Sequence, residues 1–398
     1  MSTTRWLVFA EIGTSFRNLE HPSSRAMAAV RLPANTDPAG TTEWLPYEEV
    51  VSDGSLRWDE HGQPCAAETF TGPTAVSTSL PFDRRRGDLL NLDAAAPGMA
   101  GGRLVPSFLV AEGPAAGART VYVCSRIRES GMLFTRIWSG DVPAGRDVAW
   151  TVREACEREP VLLDKFCDEG GQMTRFDADI EIELKFTLLD DTAPWEIAHR
   201  LAVAVQRRGL SGFIPDLGNE MQRWTYEQTT FEVTAPADRV GYVAFMQTHD
   251  GTYEVKYKYF AEDSLRRIER CVPGVVLRPE EFADHVLATI PGAEIRPLPH
   301  LRRSRFDVNV ESASTGHFFG LETDEVQAGG RVLRQLEIEY HRTRDCHGVT
   351  AATVEPELLR LSEQVEALLA DWGVRAERGY FSKLSFLREI AATEAVDI

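Results

Sequence analysis

Residues 179–189 restrict the fold of this chain more than any other segment. Their even-numbered positions are all apolar, whereas the odd-numbered positions include Glu181, Glu183 and Lys185. This strict alternation predicts a β-strand, because successive strand side chains point to opposite faces. The apolar face must be buried, and the other face places two carboxylates about 7 Å apart. Such a pair suits a hard cation such as Mg²⁺, although an ordinary strand with a charged, solvated face is the alternative interpretation.

Two later segments repeat parts of this pattern. Residues 336–340 again alternate, with Glu337 and Glu339 on one face and apolar side chains on the other. Residues 380–386 alternate as well, and we predict a terminal strand there that carries Lys383. The three pieces together favour one charged surface assembled from distant parts of the chain.

In this order the three motifs resemble the CYTH superfamily, the triphosphate tunnel metalloenzymes, over about residues 175–398. The resemblance implies that four glutamates bind one or two Mg²⁺ or Mn²⁺ ions: Glu181, Glu183, Glu337 and Glu339. It also implies that Lys185 and Lys383 bind substrate phosphate, and that Lys185 takes part in catalysis with Glu181 and Glu183. The metal would polarise the terminal phosphoryl group and position a water molecule.

The strand pattern predicts an α+β fold with a closed, eight-stranded antiparallel barrel and flanking helices. The charged faces would line the barrel interior, and the apolar faces would pack outward against helices. The eight candidate strands lie near residues 179–189, 223–233, 240–247, 252–260, 303–310, 317–325, 331–342 and 380–386. Helices are predicted near residues 194–208, 279–289 and 356–372.

Two other predicted strands each place two cationic side chains on one face. Lys256 and Lys258 share one face of their strand, and Arg303 and Arg305 share one face of another. Either member of each pair could be the phosphate ligand. His341 lies on the face of Glu337 and Glu339, and we interpret this single histidine as structural.

The third predicted barrel strand departs from the family pattern. Many members carry two arginines there, whereas residues 242–247 of this chain contain none. This departure predicts that the substrate presents fewer phosphate groups to the tunnel, or that the substrate is a different one.

The remaining N-terminal part, residues 1–170, is predicted to be a β-rich domain of unknown fold and role. Strands are expected near residues 5–12, 25–32, 104–111, 120–127 and 132–138. Helical spacing follows over residues 147–166, and Pro160 predicts a break or kink near Glu159. The boundary is placed at the Gly170-Gly171 pair, so the tunnel domain spans residues 171–398. The basic run at residues 83–87 is interpreted as a solvated loop.

Composition narrows the possible partners. The formal net charge is −18 at pH 7, so the chain lacks the basic surface of a general nucleic-acid binder. No apolar run is long enough to cross a bilayer, and the six cysteines are scattered without metal-binding spacing. We therefore expect a cytoplasmic protein with free thiols and a small phosphorylated substrate.

The predicted function is a divalent-metal-dependent phosphohydrolase that acts on a nucleoside, thiamine or inorganic triphosphate, or on a related organic phosphate. A nucleotidyl cyclase that uses the same tunnel is one alternative. A phosphate-ligand sensor that binds without turnover is another, favoured by the missing arginines.

Overall fold

The computed structural model describes residues 3–11, 26–35, 42–59, 61–92, 104–113, 117–159, 173–216, 221–344 and 349–394. The chain divides into two compact units. The first comprises Met1–Gly171 with Gln206–Arg208 and Ile214–Gly218, and the second comprises the rest. The predicted glycine hinge at residues 170–171 lies outside the described residues.

The first unit contains one antiparallel sheet of eight strands. In chain order these are β1 (Thr3–Glu11), β2 (Met27–Asn35), β3 (Thr42–Pro46), β4 (Val51–Trp58), β5 (Pro64–Ala75), β6 (Leu104–Glu112), β7 (Ala118–Ile127) and β8 (Gly131–Asp141). Their order across the sheet is β3-β8-β7-β6-β1-β2-β4-β5. The five predicted strands are confirmed, but β3, β4 and β5 were missed. Strand β5 is mostly exposed along its length, so it has no apolar alternation to reveal it.

Helix α1 (Val148–Arg158) covers one face of this sheet, as its spacing predicted. Asp147 caps it by accepting a hydrogen bond from the Trp150 amide at 2.8 Å. The helix ends just before Glu159, where the break was expected. In the loop at residues 83–87, Arg85 pairs with Asp83 at 2.7 Å and donates to the Val76 carbonyl. Arg85 therefore stabilises its own loop.

The second unit contains a closed antiparallel barrel of eight strands. In chain order they are β10 (Ile180–Leu188), β12 (Met221–Ala235), β13 (Gly241–Gln247), β14 (Tyr253–Tyr259), β15 (Arg266–Val275), β17 (Leu301–Ser312), β18 (His317–Ala328) and β19 (Arg331–Arg344). The strands follow one another as β17-β18-β19-β10-β15-β14-β13-β12, and pairing of β12 with β17 closes the circle. The short strands are β9 (Met173–Thr174), β11 (Phe213–Pro215), β16 (Glu294–Pro297) and β20 (Ala376–Gly379).

The outward faces of the barrel are apolar and covered by helices. Helices α2 (Pro194–Gln206) and α4 (Val354–Asp371) bury the outer side chains of β10 and β17–β19. Helix α3 (Phe282–Thr289) does the same for β12–β14, where Phe245 stacks on Phe282 with ring centroids 4.1 Å apart. The charged faces therefore point inward, as the alternating pattern predicted.

The predicted terminal strand at residues 380–386 is wrong. Residues 380–382 have no regular structure, and helix α5 (Lys383–Glu394) begins at Lys383. Leu384, Phe386, Leu387 and Ile390 pack against lumen-facing side chains such as Leu301 at one end of the barrel. Helix α5 thus closes that end, and burial there overrides the local strand-like alternation.

The eighth barrel strand is instead β15, which the sequence pattern missed. Its lumen-facing residues include Arg267 and Glu269, but Arg266 and Arg270 lie on the opposite face. Because both faces carry charge, the segment lacks the polar–apolar alternation that identifies a half-buried strand. The expected number of barrel strands was right, whereas one member was wrong.

We predict that a protein lacking residues 1–170 folds by itself. The barrel closes without strands from the first unit, and its apolar faces are buried by its own helices. Thermal unfolding of the shortened protein should show one cooperative transition. An insoluble product, or a melt without cooperativity, would contradict this boundary.

Candidate active site

Strand β10 brings the predicted acidic and basic residues into the barrel lumen. Glu181, Glu183 and Lys185 are all almost fully buried. In the pairing with β19, Glu183 lies opposite Glu339 and Lys185 lies opposite Glu337. Residues directly opposite in an antiparallel pair share a face, so the two distant E-x-E motifs form one surface.

Three carboxylates converge in this lumen. Ligand oxygens of Glu181, Glu183 and Glu339 all lie within 4.8 Å of one another. Glu339 also belongs to a second group with Glu322 and His341 at the same spacing. Carboxylate oxygens are the donors that Mg²⁺ and Mn²⁺ prefer. The residues present therefore fit a divalent ion centred on Glu339.

The two glutamates of β19 have opposite electrostatic surroundings. Burial, followed by the Glu181 carboxylate, raises the pKa of Glu339 to about 7. Burial opposes ionisation of Glu337 as well, but Lys185 and Lys383 hold its pKa well below the ordinary value. Among the described residues, Glu339 makes no ion pair with a lysine or arginine. The ionised form of the Glu339 carboxylate is therefore the one that a bound cation would stabilise most.

A cluster of cations surrounds Glu337. Lys383 lies 2.7 Å from a Glu337 oxygen and Arg303 lies 2.9 Å from the other, and both Lys185 and Arg305 also pair with Glu337. Glu337 is therefore surrounded by the cationic side chains that are candidates for phosphate binding. It does not belong to the carboxylate group of Glu181, Glu183 and Glu339. Its role as a metal ligand stays a prediction from the resemblance.

Both members of each ambiguous cation pair lie in the lumen. Lys258 contacts the two Glu181 oxygens at 2.5 and 2.6 Å, and Lys256 lies 3.0 Å from Glu269. Arg303 and Arg305 both pair with Asp324. All six predicted phosphate ligands thus line one cavity: Lys185, Lys256, Lys258, Arg303, Arg305 and Lys383.

Sequence reasoning missed several members of the site. Arg267 pairs with Glu183, and Glu269 lies 2.7 Å from Lys258, but both belong to the unrecognised strand β15. Glu322 and Asp324 were missed although β18 itself was predicted. They alternate with Leu321 and Thr323, so the same inward-face signal was present there.

The comparisons with known proteins are weak. No family model matches the chain, and no curated protein matches it significantly. Solved structures share 12–18% identity over about half of this chain. HpAC1 from Hippeastrum, a candidate adenylyl cyclase with a dominant triphosphatase activity, shows 18% identity and a TM-score of 0.34, covering 52% of this chain and 95% of that one.

Two further structures match the same part of the fold. A candidate adenylate cyclase from Bacillus halodurans has 12% identity and a TM-score of 0.28, covering 52% of this chain and 97% of its own. The Pct1 RNA triphosphatase of S. pombe, in complex with the Spt5 CTD, has 13% identity and a TM-score of 0.23, with coverages of 48% and 80%.

At TM-scores this low, the matches carry no weight by themselves. What the structure confirms is the architecture that the sequence predicted: the second unit is a closed eight-stranded antiparallel barrel whose charged faces point inward. In the described part of the chain, no helix is long and apolar enough to span a membrane. Cys65 and Cys271 are free thiols.

We predict that the Mn²⁺ affinity of this protein rises with pH up to about 7 and then levels off. Glu339 has a raised pKa of about 7, so below that pH a proton competes with the metal for its carboxylate. Calorimetric titration of Mn²⁺ between about pH 5.5 and about pH 8.5 measures this dependence. The Glu339→Gln variant should bind Mn²⁺ more weakly, and its Mn²⁺ affinity should not rise between about pH 6 and about pH 7. An identical profile in wild type and variant would show that Glu339 is not a ligand.

Proposed function

We propose that the second unit is a divalent-metal-dependent phosphohydrolase that acts on a triphosphate inside the barrel lumen. One observation carries the proposal. Among the described lumen residues, the Glu339 carboxylate makes no ion pair with a lysine or arginine, and it lies next to a cluster of cations around Glu337 and Asp324. A divalent ion complements the first group and a polyphosphate complements the second, so the pair of ligands fits one continuous site.

The carboxylates Glu181, Glu183 and Glu339 would hold the metal, and Glu339 is also shared with the group of Glu322 and His341. When bound, Mg²⁺ or Mn²⁺ supplies positive charge at the terminal phosphoryl group and orders the attacking water. Lys258 holds Glu181 from the side of β14, and Arg267 holds Glu183 from β15. These ion pairs orient two of the three carboxylates.

The cations around Glu337 would hold the phosphate oxygens. Lys383 and Arg305 each contact both Glu337 and Asp324. Burial and then Arg303 lower the pKa of Lys383, so an incoming phosphate would restore a favourable charge balance around its ammonium group. Phosphate oxygens would take over from the carboxylates as partners of these side chains. Because α5 closes one end of the barrel, the polyphosphate would enter from the other end.

A substrate screen separates this proposal from its alternatives. Tripolyphosphate, thiamine triphosphate and nucleoside triphosphates are each incubated with Mg²⁺ or Mn²⁺, and phosphate, pyrophosphate and cyclic nucleotide are quantified separately. Hydrolysis predicts phosphate or pyrophosphate release that stops when the metal is chelated. A cyclic nucleotide as the main product would support the cyclase alternative. Thermal stabilisation by a triphosphate without any product would support the sensor alternative.

We predict that Glu181→Gln and Glu183→Gln each reduce turnover at limiting Mg²⁺ by at least about tenfold. Each substitution keeps the side-chain volume and removes one charge from the proposed metal site. Glu254→Gln is the matched control, because Glu254 shares the face of Lys256 but lies outside both carboxylate groups. It should have a smaller effect. Thermal unfolding of each variant checks the fold, and wild-type activity of both β10 variants would rule out the metal assignment.

A further inference from the structure

An exposed tryptophan lies on the lumen face of strand β12. Trp224 is 52% exposed, and in the pairing of β12 with β17 it lies directly opposite Arg305. Residues opposite each other in an antiparallel pair point to the same face. Arg305 lines the charged cavity, so Trp224 extends the same surface.

Trp224 lies toward the open end of the barrel. Along β12, Gln228 is opposite Leu301, which packs at the end closed by α5, and Trp224 lies four residues farther from that end. Exposure rises in the same direction, from 7% at Gln228 to 52% at Trp224. Among the described strands, β13 pairs with β12 only from Gln228 to Val233. The part of β12 that carries Trp224 is therefore open on one side.

Tyr226, the neighbouring aromatic residue on this face, already contacts Arg303. The Tyr226 hydroxyl accepts a hydrogen bond from Arg303 at 2.6 Å, and the Arg303 guanidinium lies 5.8 Å from the Tyr226 ring centroid. Trp224, by contrast, presents a large apolar ring to solvent beside a phosphate-binding candidate. An indole ring in this position offers a stacking surface to a flat aromatic group.

We propose that Trp224 stacks on the aromatic ring of an organic triphosphate whose phosphates occupy the lumen. This inference rests on the proposed function and narrows its substrate class. Opposite residues in a strand pair have Cα atoms about 4.5–5.5 Å apart, so a ring on Trp224 lies near phosphates held by Arg305. The protein would therefore prefer a nucleoside or thiamine triphosphate to inorganic tripolyphosphate, which has no ring to stack.

Equilibrium binding tests the proposal without relying on turnover. The dissociation constants of ATP, thiamine triphosphate and tripolyphosphate are measured by calorimetry, with Ca²⁺ in place of Mg²⁺ to limit hydrolysis. Trp224→Ala should weaken binding of at least one organic triphosphate by about tenfold and leave tripolyphosphate binding unchanged. The organic ligand that is affected more identifies the preferred ring. Trp224→Phe should retain most of the affinity, because it keeps an aromatic face.

Trp195→Ala is the matched control. Trp195 is 53% exposed, nearly the same fraction as Trp224, but it lies in the first turn of α2 on the outside of the barrel. Its removal should change none of the three affinities. Equal weakening of all three ligands by Trp224→Ala, or no weakening of any, would overturn the stacking proposal.

The two proposals fail in different ways. If the wild-type protein releases no product from any triphosphate but Trp224→Ala still weakens only an organic one, the hydrolase assignment is wrong and the stacking site stands. If product forms and Trp224→Ala changes no affinity, the hydrolase assignment stands and the stacking site is wrong. If the wild-type protein binds none of the three ligands, both are wrong.

Discussion

The opposite-charge pairing of buried side chains in the barrel lumen is the interaction on which the second unit depends. Removal of one member of a buried ion pair typically costs about 3–5 kcal/mol, because it leaves the other charge without a partner. Glu183 is held by both Lys185 and Arg267, and Glu337 by four cations. Such a network specifies the strand register, since a slip of one residue would move every charge to the apolar outer face.

The rest of the architecture follows from this inverted polarity. An apolar outer face cannot remain in water, so helices α2, α3 and α4 cover it. Helix α5 closes one end of the lumen with apolar side chains and contributes Lys383 to the charged interior. Among the described residues, Glu339 makes no ion pair with a lysine or arginine, and it lies where three glutamates meet.

Sequence pattern predicted most of the barrel because its strands are half apolar and half charged. The faces of β10 and β19, and hence Glu181, Glu183, Lys185, Glu337 and Glu339, follow from alternation alone. Strand β15 was missed because charge on both faces hides its period. Because β15 was missed, one cation of the lumen was missed as well. The third barrel strand contributes no arginine, but Arg267 of β15 adds a cation to the lumen. Lys383 lies on the predicted charged surface, but it belongs to helix α5 and not to a strand. Apolar packing at the end of the barrel determines the conformation of that segment.

Other features needed three-dimensional information. Alternation placed Glu337 and Glu339 on one face, but only the surrounding side chains distinguish the paired carboxylate from the unpaired one. The exposure of Trp224 depends on how far β13 extends along β12, and no local pattern in the sequence encodes that length.

Anomalous diffraction from crystals soaked in Mn²⁺ would show which lumen carboxylates bind a divalent ion. Mn²⁺ scatters anomalously, and its position can be compared with each carboxylate of the lumen. We expect an anomalous peak for an ion bonded to Glu181, Glu183 and Glu339, with metal–oxygen distances of about 2.0–2.3 Å as in other hard-cation sites. A lumen without a peak, or a peak bonded only to carboxylates outside this group, would contradict this expectation.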